Sequence, residues 1–189
     1  MRLLLVSGNE GKFREFREAL GRRGHRLEWK RFPYPEVQSA SLDEVVGEAL
    51  AWLRARLGES EPFMIDDSGL FVPALNDFPG VFSAYVLRTV GNPGMLRLME
   101  GVGDRRARFE ARLGLWSRET GQRIFPGRVD GRIGTEARGA GGFGFDPIFV
   151  PEGRDRTFAE ISVEEKNSFS HRGRAVAALL DFLEGRAGR

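Results

Sequence analysis

The chain has no cysteine among its 189 residues. That excludes disulfides, zinc–thiolate sites and a cysteine nucleophile, and it fits a reducing cytoplasm. Lysine is almost missing too: Lys12, Lys30 and Lys166 are the only ones, and 26 of the 29 basic residues are arginine. Histidine is limited to His25 and His171, so the groups of covalent catalysis are scarce and direct attack by water is the simpler expectation. Long apolar runs are absent. The run at 3–6 is far short of the roughly 20 residues that cross a bilayer and leads straight into polar residues, so neither a membrane span nor a signal peptide is expected.

A surplus of charge is missing as well. The formal net charge is only +2, with 27 acids against 29 bases. The high isoelectric point, near 9.4, reflects arginine, which hardly deprotonates and so flattens the titration curve. Such a balance does not call for a nucleic-acid surface, and no stable nucleic-acid partner is expected. What is present, 41% hydrophobic and 30% charged residues, suits one globular domain over residues 1–189, or one domain with two lobes.

Along the chain, residues 3–6 read as a buried strand, 11–23 as an amphipathic helix and 25–31 as a second strand. A proline-interrupted loop over 31–38 precedes a helix at 42–57, with Ser41 and Glu44 in a capping-box pattern. A third strand at 63–67 ends in Asp66-Asp67 and extends towards 72. A turn at 76–80, helices at 81–90 and 93–99, and a hairpin of 106–117 with 122–132 follow. Glycines crowd 139–144, then come a short strand at 148–150 and a last helix from 169 to about 184. This order predicts an α/β or α+β architecture with a mixed sheet.

Several segments carry chemistry. Ser7-Gly8-Asn9-Glu10-Gly11-Lys12 joins a strand to a helix, which aims backbone N–H groups, a helix N-terminus and a lysine at an anion. Its spacing differs from that of a Walker A loop. Asp66-Asp67-Ser68-Gly69 puts carboxylates at a strand end, where a magnesium ion bridging a polyphosphate, or a turn capped by aspartates, accounts for them. Phe143-Gly144-Phe145-Asp146 offers stacking faces, close backbone approach and an acceptor for a base N–H. Lys166, His171 and Arg172 add donors near the last helix. Phosphate, metal and base groups on one chain suggest nucleotide chemistry.

Taken together and in order, these motifs, with Tyr34-Pro35-Glu36-Val37-Gln38, Ala74–Gly80 and Thr157-Phe158-Ala159-Glu160, resemble the inosine triphosphate pyrophosphatase family. The resemblance spans Ser7 to Arg172. It implies a two-lobed α/β fold around a long mixed sheet, with an active-site cleft between the lobes. The activity it implies is Mg²⁺-dependent hydrolysis of non-standard purine triphosphates (ITP, dITP, XTP) to the monophosphate and pyrophosphate, by a cytoplasmic homodimer. By position, Ser7, Gly8, Asn9, Glu10, Gly11 and Lys12 would bind phosphate; Glu36 and Asp67 would hold the metal; and Asp67 would be the general base. Ser68, Phe143, Gly144, Phe145, Asp146, Lys166, His171 and Arg172 would contact substrate. The chain departs from the family pattern in two ways. Ser7 stands for a threonine, and no lysine occurs in the 42–57 helix, where relatives direct one at the substrate; Arg54, Arg56 or an arginine elsewhere is the expected replacement. The alternatives are a related pyrophosphatase of other base specificity and a non-catalytic nucleotide- or nucleic-acid-binding protein.

Overall fold

One strand with two different neighbours on a single edge organises the molecule. A computed structural model of the chain describes residues 2–35, 37–58 and 61–185. The strands are β1 (Arg2–Val6), β2 (Arg26–Lys30), β3 (Phe63–Val72), β4 (Phe78–Gly80), β5 (Arg106–Ser117), β6 (Gly121–Ile133) and β7 (Phe149–Pro151). They form one mixed sheet in the order β2-β1-β3-β5-β6-β7, with β4 attached to β3. β1 runs parallel to the start of β3, pairing at Phe63 and Met64, whereas β4 pairs antiparallel with its end, at Leu70 to Val72. Between those contacts neither strand pairs with β3, and Asp66, Asp67 and Ser68 lie in that gap. The opposite edge of β3 is paired continuously with β5.

The helices are α1 (Glu10–Gly21), α2 (Leu42–Leu57), α3 (Ser83–Thr89), α4 (Gly91–Leu98), α5 (Val163–Asn167) and α6 (His171–Leu183). α1 and α6 cover one sheet face: Phe16 and Leu20 of α1 and Ala175, Val176 and Leu179 of α6 pack on Leu3, Leu5, Met64, Leu113 and Phe125. α2 covers the other, with Val46, Ala49, Leu50 and Leu53 against Val6, Phe63, Ile65 and Trp116. The far halves of β3, β5 and β6 carry a separate core of Leu70, Val72, Phe109, Val129 and Ile133 against Val86, Met95, Phe149 and Phe158. Three apolar clusters thus share the strands of one sheet.

Gly127 of β6 sets α6 on the sheet, because a Cβ there would collide with the carbonyl of His171 and the amide of Ala175. That close approach brings the start of α6 to the gap in β3.

The helix over 42–57 has the expected bounds and cap: the Ser41 hydroxyl accepts from the Glu44 amide at 3.4 Å. Only half of the capping box forms, since the Glu44 carboxylate accepts from Ser39 Oγ at 2.6 Å. Three elements differ from expectation. The 76–80 turn contains β4, the final helix starts at His171, and a separate α5 precedes it, whereas the third strand reaches Val72 as expected.

Candidate active site

A cavity of about 550 Å³ opens at the gap in β3. Its floor is the turn from β1 into α1. The Ser7 hydroxyl accepts from the Asn9 amide at 3.1 Å, and Asn9 Oδ1 accepts from the Lys12 amide at 3.1 Å. Asn9 therefore spends its carbonyl oxygen as an N-cap. The free amides of the first turn of α1, a 12-residue helix, remain available to an anion. The Trp29 indole fixes this turn by donating to Ser7 O at 2.7 Å and stacking on Phe13 with ring centroids 4.8 Å apart.

Strand alternation sends the paired acids to opposite faces. Asp66 points to the side of α1 and α6, where it is 3% exposed. Lys12 Nζ lies 3.1 Å from Asp66 Oδ2 and donates to its carbonyl oxygen at 2.8 Å. Arg172 Nε donates to the same Oδ2 at 3.0 Å. Asp67, half-buried, faces the cavity, with Oδ1 accepting from the Ser68 amide at 2.9 Å and Lys12 Nζ 4.0 Å away.

Behind these groups lies a chain of buried charges that alternate in sign. Arg172 Nη1 donates to Glu15 Oε2 at 2.9 Å, Lys166 Nζ to Glu15 Oε1 at 2.6 Å, and Lys166 Nζ to Asp146 Oδ2 at 2.6 Å. Burial pushes the Glu15 and Asp66 carboxyls up. Arg172 and Lys166 outweigh it for Glu15, and Lys12 and Arg172 for Asp66, so both end below the ordinary range. Asp146 ends above its range, because burial and the nearby Glu15 outweigh Lys166. Arg172 is held charged: Asp66 and Glu15 override its burial.

The opposite wall suits an apolar ring. Phe143, Gly144, Phe145 and Asp146 line it, and Asp146 Oδ2 accepts from the Phe143 amide at 2.8 Å. Phe143 packs so tightly on α1 that a Cβ at Gly11 would sit 2.5 Å from its ring. The His171 imidazole stacks on Phe109 with centroids 4.7 Å apart at 12°, and neither ring nitrogen has a partner among the described residues. Burial, then repulsion from Arg172, Lys166 and Lys12, keeps that ring neutral, well below its ordinary 6.5. A neutral imidazole offers one donor and one acceptor to whatever fills the cavity.

Of the residues singled out in the sequence, Ser7, Gly8, Asn9, Lys12, Asp67, Ser68, Phe143, Gly144, Phe145, Asp146, His171 and Arg172 line this one cavity. Three others do not. Glu10 is exposed and lies 3.9 Å from Arg14, Gly11 is the contact under Phe143, and Lys166 sits behind Asp146. Glu36 lies outside the described residues. Arg172 commits its Nε, Nη1 and Nη2 to Asp66, Glu15 and Ser68, so three of its five N–H groups are engaged within the protein. α2 contributes nothing to the cavity; Arg54 and Arg56 lie over the rings of Trp116 and Trp52.

Sequence reasoning missed Glu15, Phe109, the residues 31–34 after β2, and Ser83, Ala84, Leu87 and Arg88 of α3. For α3 a faint signal exists: Ala84, Leu87 and Arg88 share one helical face and leave a non-apolar residue on it.

A divalent cation fits the acidic corner. Asp66 Oδ1 is buried with no partner among the described residues, and Asp66 and Asp67 both line the cavity, each near Lys12 Nζ. The described residues hold no cluster of three or more His, Cys, Asp or Glu able to bind a metal. Mg²⁺ commonly takes one or two carboxylates and completes its shell with water and phosphate oxygens.

Comparison with known proteins agrees with this geometry. The model of the Ham1 family matches residues 3–182. A protein of Thermococcus kodakarensis named dITP/XTP pyrophosphatase is 50% identical over 97% of this chain and 98% of its own length. One of Pyrococcus horikoshii with the same name is 46% identical, covering 97% of each. Among solved structures, the Staphylococcus aureus Ham1 protein aligns with a TM-score of 0.82 at 30% identity, over 98% of this chain and 99% of that one.

Proposed function

This chain belongs to the Ham1 family, and we propose that it hydrolyses non-standard purine nucleoside triphosphates, dITP, ITP and XTP, to the monophosphate and pyrophosphate. The observation that carries the reading is the cavity itself. It joins an anion-binding helix turn, a half-buried carboxylate and a neutral, unpartnered imidazole in an aromatic wall, in a chain half identical to a dITP/XTP pyrophosphatase.

In this reading the phosphates meet the α1 amides and Lys12. Asp67, with the unpartnered Asp66 Oδ1 and with Glu36 as the sequence resemblance implies, would hold Mg²⁺, which would supply charge neutralisation and Lewis acidity. Asp67 orients a water molecule and takes its proton as the water oxygen forms a bond to phosphorus. The α–β anhydride breaks and pyrophosphate leaves. The Ser68 amide and Lys12 hold the Asp67 carboxylate in place. Arg172 ties Asp66, Ser68 and Glu15 together.

The base sits between Phe143 and His171. Hypoxanthine and xanthine present an acceptor at position 6, which the imidazole N–H and the two uncommitted N–H groups of Arg172, a side chain with no acceptor, would satisfy; adenine presents a donor there. A buried donor left unmatched costs roughly 1–3 kcal/mol, so dITP and XTP should exceed dATP. Such an enzyme acts on the free nucleotide pool of the cytoplasm. The exposed Phe78, Phe82 and Tyr85 around β4 and α3 suit burial in a homodimer, which light scattering would detect. The deciding assay is pyrophosphate release from dITP, XTP, ITP, GTP and dATP, with and without Mg²⁺. No release from dITP or XTP would overturn the reading.

A further inference from the structure

The buried charges around the cavity cancel. Lys12, Arg172 and Lys166 are matched by Asp66, Glu15 and Asp146, each within 3.1 Å of an opposite charge. A triphosphate brings several further negative charges, which a single divalent cation does not offset. Beyond the α1 amides and Lys12, whose charge is shared with Asp66, the substrate either breaks buried pairs, at high cost, or meets cations outside the network.

Two arginines line the cavity outside that network, one on each side of the gap in β3. Arg31 leaves the end of β2 and Arg88 lies on the cavity face of α3. Arg31 is exposed, 4.3 Å from the Trp29 ring centroid and 3.9 Å from the Glu10 carboxylate. Arg88 is exposed and has no hydrogen-bond, ion-pair or ring partner among the described residues. An unpaired guanidinium at a cavity mouth is matched in shape and charge to a phosphate, which it binds in bidentate fashion. The same need is sharpened by α2, whose arginines stack on tryptophans away from the cavity.

We infer that Arg88, facing Arg31 across the cavity mouth, binds the polyphosphate tail and makes the site select triphosphates over monophosphates. This rests on the function proposed above and assigns it two residues. The test compares Arg88→Ala, Arg31→Ala, the double variant and Arg88→Lys with the unaltered chain. Four readouts are taken: kcat and KM for dITP, inhibition by dIMP, binding of inorganic tripolyphosphate by calorimetry, and melting temperature.

Each alanine should raise KM for dITP by about 10-fold, the loss of one exposed charge-assisted contact. The double variant should multiply the two effects, and lysine should restore part of the loss. Inhibition by dIMP should change by less than about 2-fold, and melting should not move, because an exposed, unpartnered side chain contributes little to folding. Unchanged KM and tripolyphosphate binding in Arg88→Ala would overturn the inference. So would equal weakening of dIMP and dITP, which would place Arg88 on the nucleoside. If the unaltered chain fails to hydrolyse dITP, the function proposed above falls, and the tripolyphosphate titration still decides whether the arginines hold a polyphosphate.

Discussion

Two sets of ion pairs in this molecule use the same residue types under opposite conditions. The first threads beneath the cavity as Lys12, Asp66, Arg172, Glu15, Lys166 and Asp146; apart from Lys12, every side chain in it is at most 4% exposed. The second spreads over β5 and β6, where each pair keeps at least one side chain about half exposed: Arg108 pairs with Asp77 at 2.7 Å, Arg112 with Asp43 at 2.8 Å and Arg128 with Asp130 at 2.6 Å. Distances do not tell the two sets apart; dielectric surroundings do. On the surface, water screens each charge and an isolated pair contributes about 0–1 kcal/mol. Inside, desolvation offsets much of the attraction, so the network adds little net stability, yet removing one member strands its partners at great cost. The buried set is thus a rigid frame with a fixed charge pattern, and the surface set is replaceable.

The largest effect should come from Glu15→Gln. The side chain keeps its volume, but Lys166 and Arg172 lose the anion between them. A loss of about 3–5 kcal/mol is expected, read from the urea midpoint at constant m. A loss under about 1 kcal/mol would mean that the buried set behaves like the surface set, and the comparison would collapse.

Next comes Asp67→Asn. Asp67 borders the network without belonging to it, and its side chain is 23% exposed. Turnover of dITP should fall at least about 100-fold, the lower end of a general-base contribution, with the urea midpoint close to that of the parent. Near-normal turnover at saturating Mg²⁺ would remove Asp67 from the chemistry. A collapse of stability equal to that of Glu15→Gln would put it in the frame.

Glu15 also marks the limit of what the sequence reveals. The stretch from Phe13 to Glu18 alternates aromatic, basic and acidic residues, and nothing local separates Glu15, which is 2% exposed, from its solvated neighbours. Its partners lie more than 150 residues away. Where the cause was local, the reading reached the structure: Ser41 starts α2 at its expected residue, and the Gly/Asn turn after β1 opens α1. The missed α5 carried a readable signal, since Ser162 and Glu165 have the spacing of a cap and Ser162 Oγ accepts from the Glu165 amide at 3.0 Å. The substrate-facing residues of α3 were hidden for a different reason. Which face of a seven-residue helix meets a cavity depends on where β4 delivers it, and pairing of β4 with β3 is a long-range event.

A smaller effect should appear with pH. The His171 imidazole is held well below 6.5 in the folded chain, by burial first and then by Arg172, Lys166 and Lys12. Below about pH 6.5 the unfolded chain takes up a proton that the folded chain refuses, so stability falls as pH falls, by at most about 1.4 kcal/mol per unit. Glu15 and Asp66, depressed below 4.5 and 3.8, add their losses only in stronger acid, as pH drops through their folded values. Asp146, raised above 3.8, works in the opposite sense there. His171→Gln should flatten the stability curve between about pH 7.5 and 5.5. An unchanged slope would move the titration to another group.

The smallest effect should come from the surface set, and its smallness is informative. Arg128 and Asp130 are 57% and 47% exposed and sit two residues apart on β6, already held near each other by the strand. Arg128→Ala gives up one screened pair and regains side-chain freedom, so unfolding should shift by no more than about 0.5 kcal/mol at moderate salt. The Asp130 carboxylate left behind stays hydrated, the condition that Lys166 and Arg172 lack when Glu15 is replaced. Raising the salt should erase even that difference, since exposed charges are screened over about 10 Å at 0.1 M, whereas the Glu15→Gln deficit should persist. Equal salt sensitivity in the two variants would show that water reaches the buried network, and its desolvation would then not be what sets it apart.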